Sequence, residues 1–423
     1  MSEQATGNSE QLIAMSGALD RVPLWALLSG AAISGAGNSV TRLAIPWFVL
    51  ETTGSAARTG FVAAAELTPL IIAGVLGGTL VDRMGFKRAS VLSDLASGVT
   101  VALIPALHFT IGLQFWQLLA LVFAGALLDA PGQTARRSFI PELATAAGMP
   151  LAQANGYFGA IMRSTGLLGP PIAGVLIAAF GAAPLLWIDA ATFAVSSAIT
   201  ALLIPARLQP VPDPAQAAGS YRADLVSGFH WVWDNALIRT LVVMILITNL
   251  IESPLMIVVT VYARDVLESS VALGVSFGVF SVGAVAGSIW SGRVIERLPG
   301  RYVLALGFSG ITLVYGAMIA EPGLAALLAV LLLAGFVAGP INPLLDTVFQ
   351  ERVPAQMRGR VFGLRGALMM SAMPLGVLAG GALIDAAGIH VTLAIQAVAM
   401  LAAIGWMLLS PTLRQIDACA AGS

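Results

Sequence analysis

Twelve stretches of this chain are apolar enough and long enough to cross a lipid bilayer, whose core takes about 20 residues of helix. They lie near 22–50, 58–81, 89–110, 115–135, 148–180, 183–204, 237–262, 270–295, 302–320, 323–349, 357–386 and 389–410, separated by polar, Gly/Pro or Arg-rich punctuation. Only 10% of the 423 residues are charged, against 58% apolar, and the mean hydropathy is +0.89. A soluble domain carries about 25% charged residues, so there are too few here to clothe a water-facing surface. That excludes a soluble enzyme, a nucleic-acid binder and a disordered scaffold. A formal net charge of −1 offers no basic field to nucleic acid either. The expected fold is an all-α membrane protein of twelve transmembrane helices, and its first partner is the lipid bilayer.

The cations predict the orientation. With both termini inside, 17 of the 21 Lys and Arg fall in or beside cytoplasmic segments, from Arg21 through Arg136, Arg137 and Arg239 to Arg414. Only Arg58 and Arg264 fall outside, while Arg42 and Arg163 lie within spans. A bias of this size over short connections is the positive-inside pattern, and it fits an even number of spans in a plasma membrane. Residues 1–20 lack a basic region ahead of a short apolar core, and read as a cytoplasmic tail rather than a signal peptide.

Two halves emerge. The expected organisation is a tail over 1–20, a six-helix bundle over 21–204, a linker over 205–236, a second bundle over 237–410 and a tail over 411–423. In the linker, Pro205, Pro210, Pro212 and Pro214 precede a helical spacing of Tyr221, Leu225, Phe229 and Val232, which predicts an interfacial amphipathic helix. The halves repeat at about 214 residues. Gly60 matches Gly274, Asp82-Arg83 matches Glu296-Arg297, Pro131 and Pro141 match Pro343 and Pro354, and Gly169 to Gly174 match Gly376 to Gly380. Parallel repeats of six spans suit a carrier with its site near the midplane, between pseudo-symmetric halves.

The segment Gly78-Thr-Leu-Val-Asp82-Arg83-Met-Gly85-Phe86-Lys87-Arg88 resembles motif A of the major facilitator superfamily, with Phe86 where a basic residue is usual. Three stretches resemble the bacterial group containing macrolide-efflux and enterobactin-export proteins. They are Asp129-Ala-Pro-Gly-Gln-Thr-Ala-Arg136-Arg137-Ser-Phe-Ile-Pro141, then Asn155, then Met357-Arg358-Gly359-Arg360-Val-Phe-Gly363. The resemblance implies the major facilitator fold and a secondary exporter of drug-like or siderophore-like molecules, working by alternating access. It also implies that Asp82 meets the eleventh span and that Arg83 pairs with Asp129, a latch made in one state and broken in the other. By repeat symmetry Glu296, Arg297 and Asp346 are the second-half counterpart; the alternative is that these charges only mark helix ends. Gly166, Gly169, Pro170 and Gly174 resemble the exporter signature of the fifth span, with Thr165 and Ala173 replacing two glycines. A kinked packing helix is the other reading.

Charges within spans are the candidates for work, because each costs about 2.5–3.5 kcal/mol in the bilayer unless it faces a cavity or a partner. A carboxylate at Glu66, Glu252 or Asp94 could load and release a proton as access alternates, with Glu66 the first choice. A structural pair, for instance Glu66 with Arg42, competes with that reading, and Asp189 reads as a helix cap. Related exporters often have an acidic residue in the first span, where this chain has Asn38. A substrate pocket is expected among Asn38, Thr41, Trp47, Phe61, Tyr157, Phe158, Asn249, Tyr262 and Asn342. No cofactor is called for beyond a proton gradient: no phosphate-binding loop is present, and His108, His230, His390 and Cys419 lie scattered. A monomer is expected. An importer or lysolipid flippase of the same fold is the alternative, and a membrane-embedded enzyme lacks a catalytic cluster.

Overall fold

In lipid every backbone N–H and C=O must be bonded within its own segment, so apolar runs become helices. The computed structural model describes residues 20–205, 221–354 and 357–417, and within them all side chains except those at 72–80, 82, 83, 221–226, 228 and 359. The first half contains α1 (Val22–Thr53), α2 (Ala56–Met84), α3 (Phe86–Thr110), α4 (Phe115–Ala146), α5 (Leu151–Phe180) and α6 (Ala182–Leu203). The linker helix α7 (Tyr221–Asp234) leads into α8 (Ala236–Glu252), α9 (Leu255–Asp265), α10 (Ser270–Arg297), α11 (Gly300–Ile319), α12 (Leu324–Ala338), α13 (Ile341–Arg352), α14 (Arg358–Ala387) and α15 (Ile389–Leu409). On α7, Val232 is buried while Phe229 and Trp233 stack on each other and stay exposed, the two-faced character of a helix at an interface.

Among the described residues, ten helical segments are long and apolar enough to cross a membrane, with α8–α9 and α12–α13 each forming one. α1 and α2 are not among them; serines, glycines, Asn38, Thr41 and Arg42 dilute α1. Three spans differ from expectation. α4 does not stop near 135 but continues through Pro131 and Pro141 to Ala146. Ala135, Arg136, Phe139, Ile140, Leu143 and Ala144 form a buried stripe there, and packing carries the helix past the two missing donors. The seventh and tenth spans are each broken, at Ser253–Pro254 and at Gly339–Pro340, where proline withdraws a backbone donor.

Within each half, glycines let helices touch backbone to backbone. In the first half α1 packs on α6, and α3 lies against α4 and α6. In the second, Gly283 and Gly287 of α10 meet the Leu332 and Phe336 carbonyls of α12, while Gly335 and Gly339 return the contact.

The halves meet along two seams related by the internal repeat. α2 packs on α14, where Gly60 faces Gly381, and α5 packs on α10, where Gly174 faces Gly274. Both seams lie at the end of the molecule away from α7, the far side. Toward the linker side, Gly156 and Gly166 of α5, Gly292 of α10 and Gly363 and Gly366 of α14 have open space around them. The halves therefore close on the far side and separate toward the linker.

A side chain at Gly274 would meet the Pro170 carbonyl oxygen and the Gly174 backbone. Gly274→Val is expected to lower the thermal unfolding midpoint of the purified protein by an overpacking cost of about 1–3 kcal/mol. Gly292→Val, where nothing lies within 4 Å, should leave it unchanged.

Candidate functional site

Polar residues of α1, α2, α3 and α4 converge inside the first half. Asn38, Thr41, Arg42, Glu66, Ser97, Asp129 and Gln133 line a cavity of about 80 Å³. An adjoining one of about 250 Å³ shares Asn38, Arg42 and Gln133 and reaches Arg136, Arg137, Phe158, Met162 and Gly166. Arg42 and Glu66 thus face one space, without an ion pair within 4 Å among the described residues.

A polar cluster shares Asp129, Gln133 and Arg136 with the walls of these cavities. Arg136 of α4 donates to Asp94 of α3 at 2.6 Å, Ser196 of α6 donates to the other Asp94 oxygen at 2.8 Å, and all three are buried. Arg136 also lies 3.7 Å from Asp129, which accepts from Gln133 at 2.6 Å. Asp94, a coupling candidate from the sequence, is thereby tied into a three-helix ion pair. Asp189 is not a cap: α6 starts at Ala182, and Asp189 sits two turns inside it, buried, accepting from Thr41 at 2.5 Å and Thr192 at 3.2 Å. The glycine that precedes α6, Gly181, takes the position a capping side chain would have held.

The second half has a different interior. A cavity of about 630 Å³ is lined by Asn249 and Glu252 of α8, Ser253, Met256 of α9, Phe277 and Phe280 of α10, Asn342, and Met369 and Met373 of α14. The break at Ser253–Pro254, between α8 and α9, lies in its wall. The carbonyls freed there are served by side chains: Ile251 O accepts from Tyr315 and Gln396, both at 3.4 Å, and Leu250 O accepts from Ser253 at 3.4 Å. Asn249 donates back to Ile245 O at 2.8 Å. The Glu252 carboxylate has no hydrogen-bond or ion-pair partner among the described residues, and no cation lines its cavity.

Of the expected pocket residues, Asn38, Thr41, Phe158, Asn249 and Asn342 line these cavities. Trp47 packs against the core, Phe61 is 52% exposed, and Tyr157 lies against Trp25 with ring centres 5.4 Å apart. Tyr262 is buried in neither cavity, with its hydroxyl unpartnered. Arg163 is exposed on α5. The sequence reading missed Met256, Phe277, Phe280, Met369, Met373 and Gln133; nothing in a run of apolar residues marks which face lines a cavity.

In the latch segment, the side chains of Gly78, Asp82 and Arg83 lie outside the described residues. Gly85 ends α2 with φ +80°, Lys87 donates to Ala201 O at 2.8 Å, and Arg88 is exposed. In the second half Asp346 pairs with Arg365 at 2.7 Å, and Arg365 lies over the Phe349 ring at 4.6 Å. Glu296 and Arg297 are exposed, with no ion pair to Asp346 among the described residues. The exporter-like glycines of α5 divide their contacts. Gly169 seats against Ser39 of α1, Gly174 and Pro170 meet Gly274 of the other half, and Gly166 faces open space.

The family model of the Major Facilitator Superfamily matches residues 27–373 and again residues 241–418, the second match falling on the second half. The chain belongs to the major facilitator superfamily. Among its relatives is the multidrug efflux pump Tap of Mycolicibacterium fortuitum, 32% identical over 403 residues, covering 94% of this chain and 98% of that protein. Macrolide efflux protein A of Streptococcus pyogenes is 20% identical, over 88% of this chain and 91% of its own. The fold of this superfamily member is shared with the crystal structure of the nucleoside transporter NupG, with a TM-score of 0.75 at 12% identity over 91% and 98% of the two chains.

Arg136→Leu would strand Asp94 as a buried, unpaired charge. Breaking a buried pair in this way costs about 3–5 kcal/mol, and the thermal midpoint should fall accordingly. Asp94→Asn combined with Arg136→Gln should recover much of the loss in the same assay.

Proposed function

We propose that this protein is a secondary active exporter of amphiphilic, drug-like organic molecules, working by alternating access as a proton antiporter. It spans the bacterial plasma membrane twelve times, with both termini and the linker in the cytoplasm, acts as a monomer and needs no bound cofactor beyond the proton gradient. The observation that carries the reading is the second-half cavity. Its methionines and phenylalanines give a soft, adaptable apolar wall, the kind that accepts molecules of varied shape.

Glu252 supplies the one charge in that wall. A carboxylate without a cation beside it needs a positive partner in a low-dielectric site. A proton and the positive charge of a substrate compete for that place, and competition for one carboxylate is what couples opposite fluxes. Glu66, which faces Arg42 across the first-half cavity, already has a positive neighbour, so Glu252 is the better coupling residue. Two relatives are named for multidrug efflux and macrolide efflux, which supports export as the direction. With the linker inside, closure at the far side is the inward-facing state, from which an exporter loads.

Expression in an efflux-deficient host tests the reading. Wild type should lower the accumulation of organic cations across a substrate panel, and Glu252→Gln should reduce that export at least about tenfold, with membrane insertion unchanged. Asp82→Asn should abolish export in the same assay. Transport by Glu252→Gln at the wild-type rate would remove Glu252 from the mechanism. In liposomes, absence of flux under an imposed pH gradient would exclude proton antiport.

A further inference from the structure

Two groups of opposite charge reach from the second half to grip the corner between α1 and α2. Arg264, at the end of α9, donates to the carbonyl of Leu50 in the last turn of α1 at 2.8 Å. Asp385, near the end of α14, accepts from the Ser55 hydroxyl at 2.6 Å and from the backbone N–H groups of Ala56 and Ala57 at 2.8 and 3.1 Å. The last carbonyls of a helix carry partial negative charge and its first N–H groups partial positive charge. A cation on the end of α1 and an anion on the start of α2 therefore complement both termini at once. Gly60 and Gly381 bring the two backbones together just beside the carboxylate.

The sequence around Asp385 has an echo. α14 ends Gly380-Gly381-Ala382-Leu383-Ile384-Asp385-Ala386-Ala387-Gly388, and α2 ends Gly77-Gly78-Thr79-Leu80-Val81-Asp82-Arg83-Met84-Gly85. Both helices stop at a left-handed glycine, Gly388 with φ +83° and Gly85 with φ +80°, three residues past the aspartate. These are the two helices of one seam, running antiparallel, so each carries the same ending at opposite faces of the membrane.

The other seam lacks this device. Ser269 starts α10 as Ser55 starts α2, each hydroxyl accepting from the N–H three residues on at 3.1 Å. α5 also stops at a left-handed glycine, Gly181 with φ +81°, but three residues before it stands Ala178. Among the described residues, that seam has only Ser270 donating to Gly174 O at 3.1 Å.

We propose that Asp385, supported by Arg264, is the far-side gate of this transporter, holding the halves shut while the linker side is open and releasing the start of α2 when access switches. Asp82 stands at the mirror position on the linker side, so the two aspartates pull the same equilibrium in opposite directions. The gate rests on alternating access alone and not on the cargo or the direction of transport.

Distances between the halves read it directly, without substrate. With Cys419→Ser as background, Thr110→Cys and Leu324→Cys place nitroxide labels at far-side helix ends of the two halves, α3 and α12, in the full chain in nanodiscs. Double electron–electron resonance should show mainly the short distance. Asp385→Asn should raise the long-to-short population ratio about tenfold, the scale of losing one helix cap. Ser55→Ala and Arg264→Gln should move it the same way by less, and Asp82→Asn the opposite way. An unchanged distribution in Asp385→Asn overturns the gate, as does a loss of thermal stability without a population shift. Should Asp385→Asn fail to fold, unchanged distributions in Ser55→Ala and Arg264→Gln overturn it equally.

Discussion

Lipid offers a charged or polar group nothing to bond with, and most of this structure follows from where each such group finds a partner. In the first half the partners are other side chains. Asp94, Arg136 and Ser196 join α3, α4 and α6 by hydrogen bonds, Asp129 lies in ion-pair range of Arg136, and Thr41 ties α1 to Asp189 of α6. These buried bonds fix relative helix positions, because breaking one leaves a polar group without water. They link four of the first bundle's six helices, α1, α3, α4 and α6.

The second bundle is held mainly by shape. Glycine contacts lock α10 to α12, and a large apolar cluster fills the space around α8, α11 and α15. Glu252, the one charged residue lining its cavity, and the flexible methionine walls stand around empty volume rather than inside a lattice. The first interior is polar and cross-linked, the second apolar around a single acid in its cavity wall. A repeat that started from equal halves has divided the labour between them.

The spans and the repeat are legible in the sequence because each is local: a run of about 20 apolar residues and a fixed offset. What was not legible is pairing at a distance. Asp94 and Arg136 are 42 residues apart, Thr41 and Asp189 are 148, and Ser55 and Asp385 are 330. Asp189 reads as a cap when only its nearness to a helix start is known, yet its partner lies on another helix. Asp385 had a signal, the Gly-Gly-x-Leu-x-Asp-x-x-Gly ending shared with α2, but the 214-residue offset steps past it because the two endings sit in spans two and eleven. Prolines mislead in the other direction. Pro131 and Pro141 pass as helix breakers on propensity, whereas the stripe they interrupt is buried enough to override them.

The break between α8 and α9 has one further consequence. Tyr315 and Gln396 stand on α11 and α15, helices packed on each other, and both point at the Ile251 carbonyl that the break leaves bare. The joint is therefore already solvated from within the protein. Bending α9 relative to α8 exchanges one long, weak hydrogen bond for another and exposes no naked carbonyl to hydrocarbon. The seventh span thus behaves as a lubricated elbow, and Glu252, the residue just before the bend, is carried by whichever angle the elbow adopts.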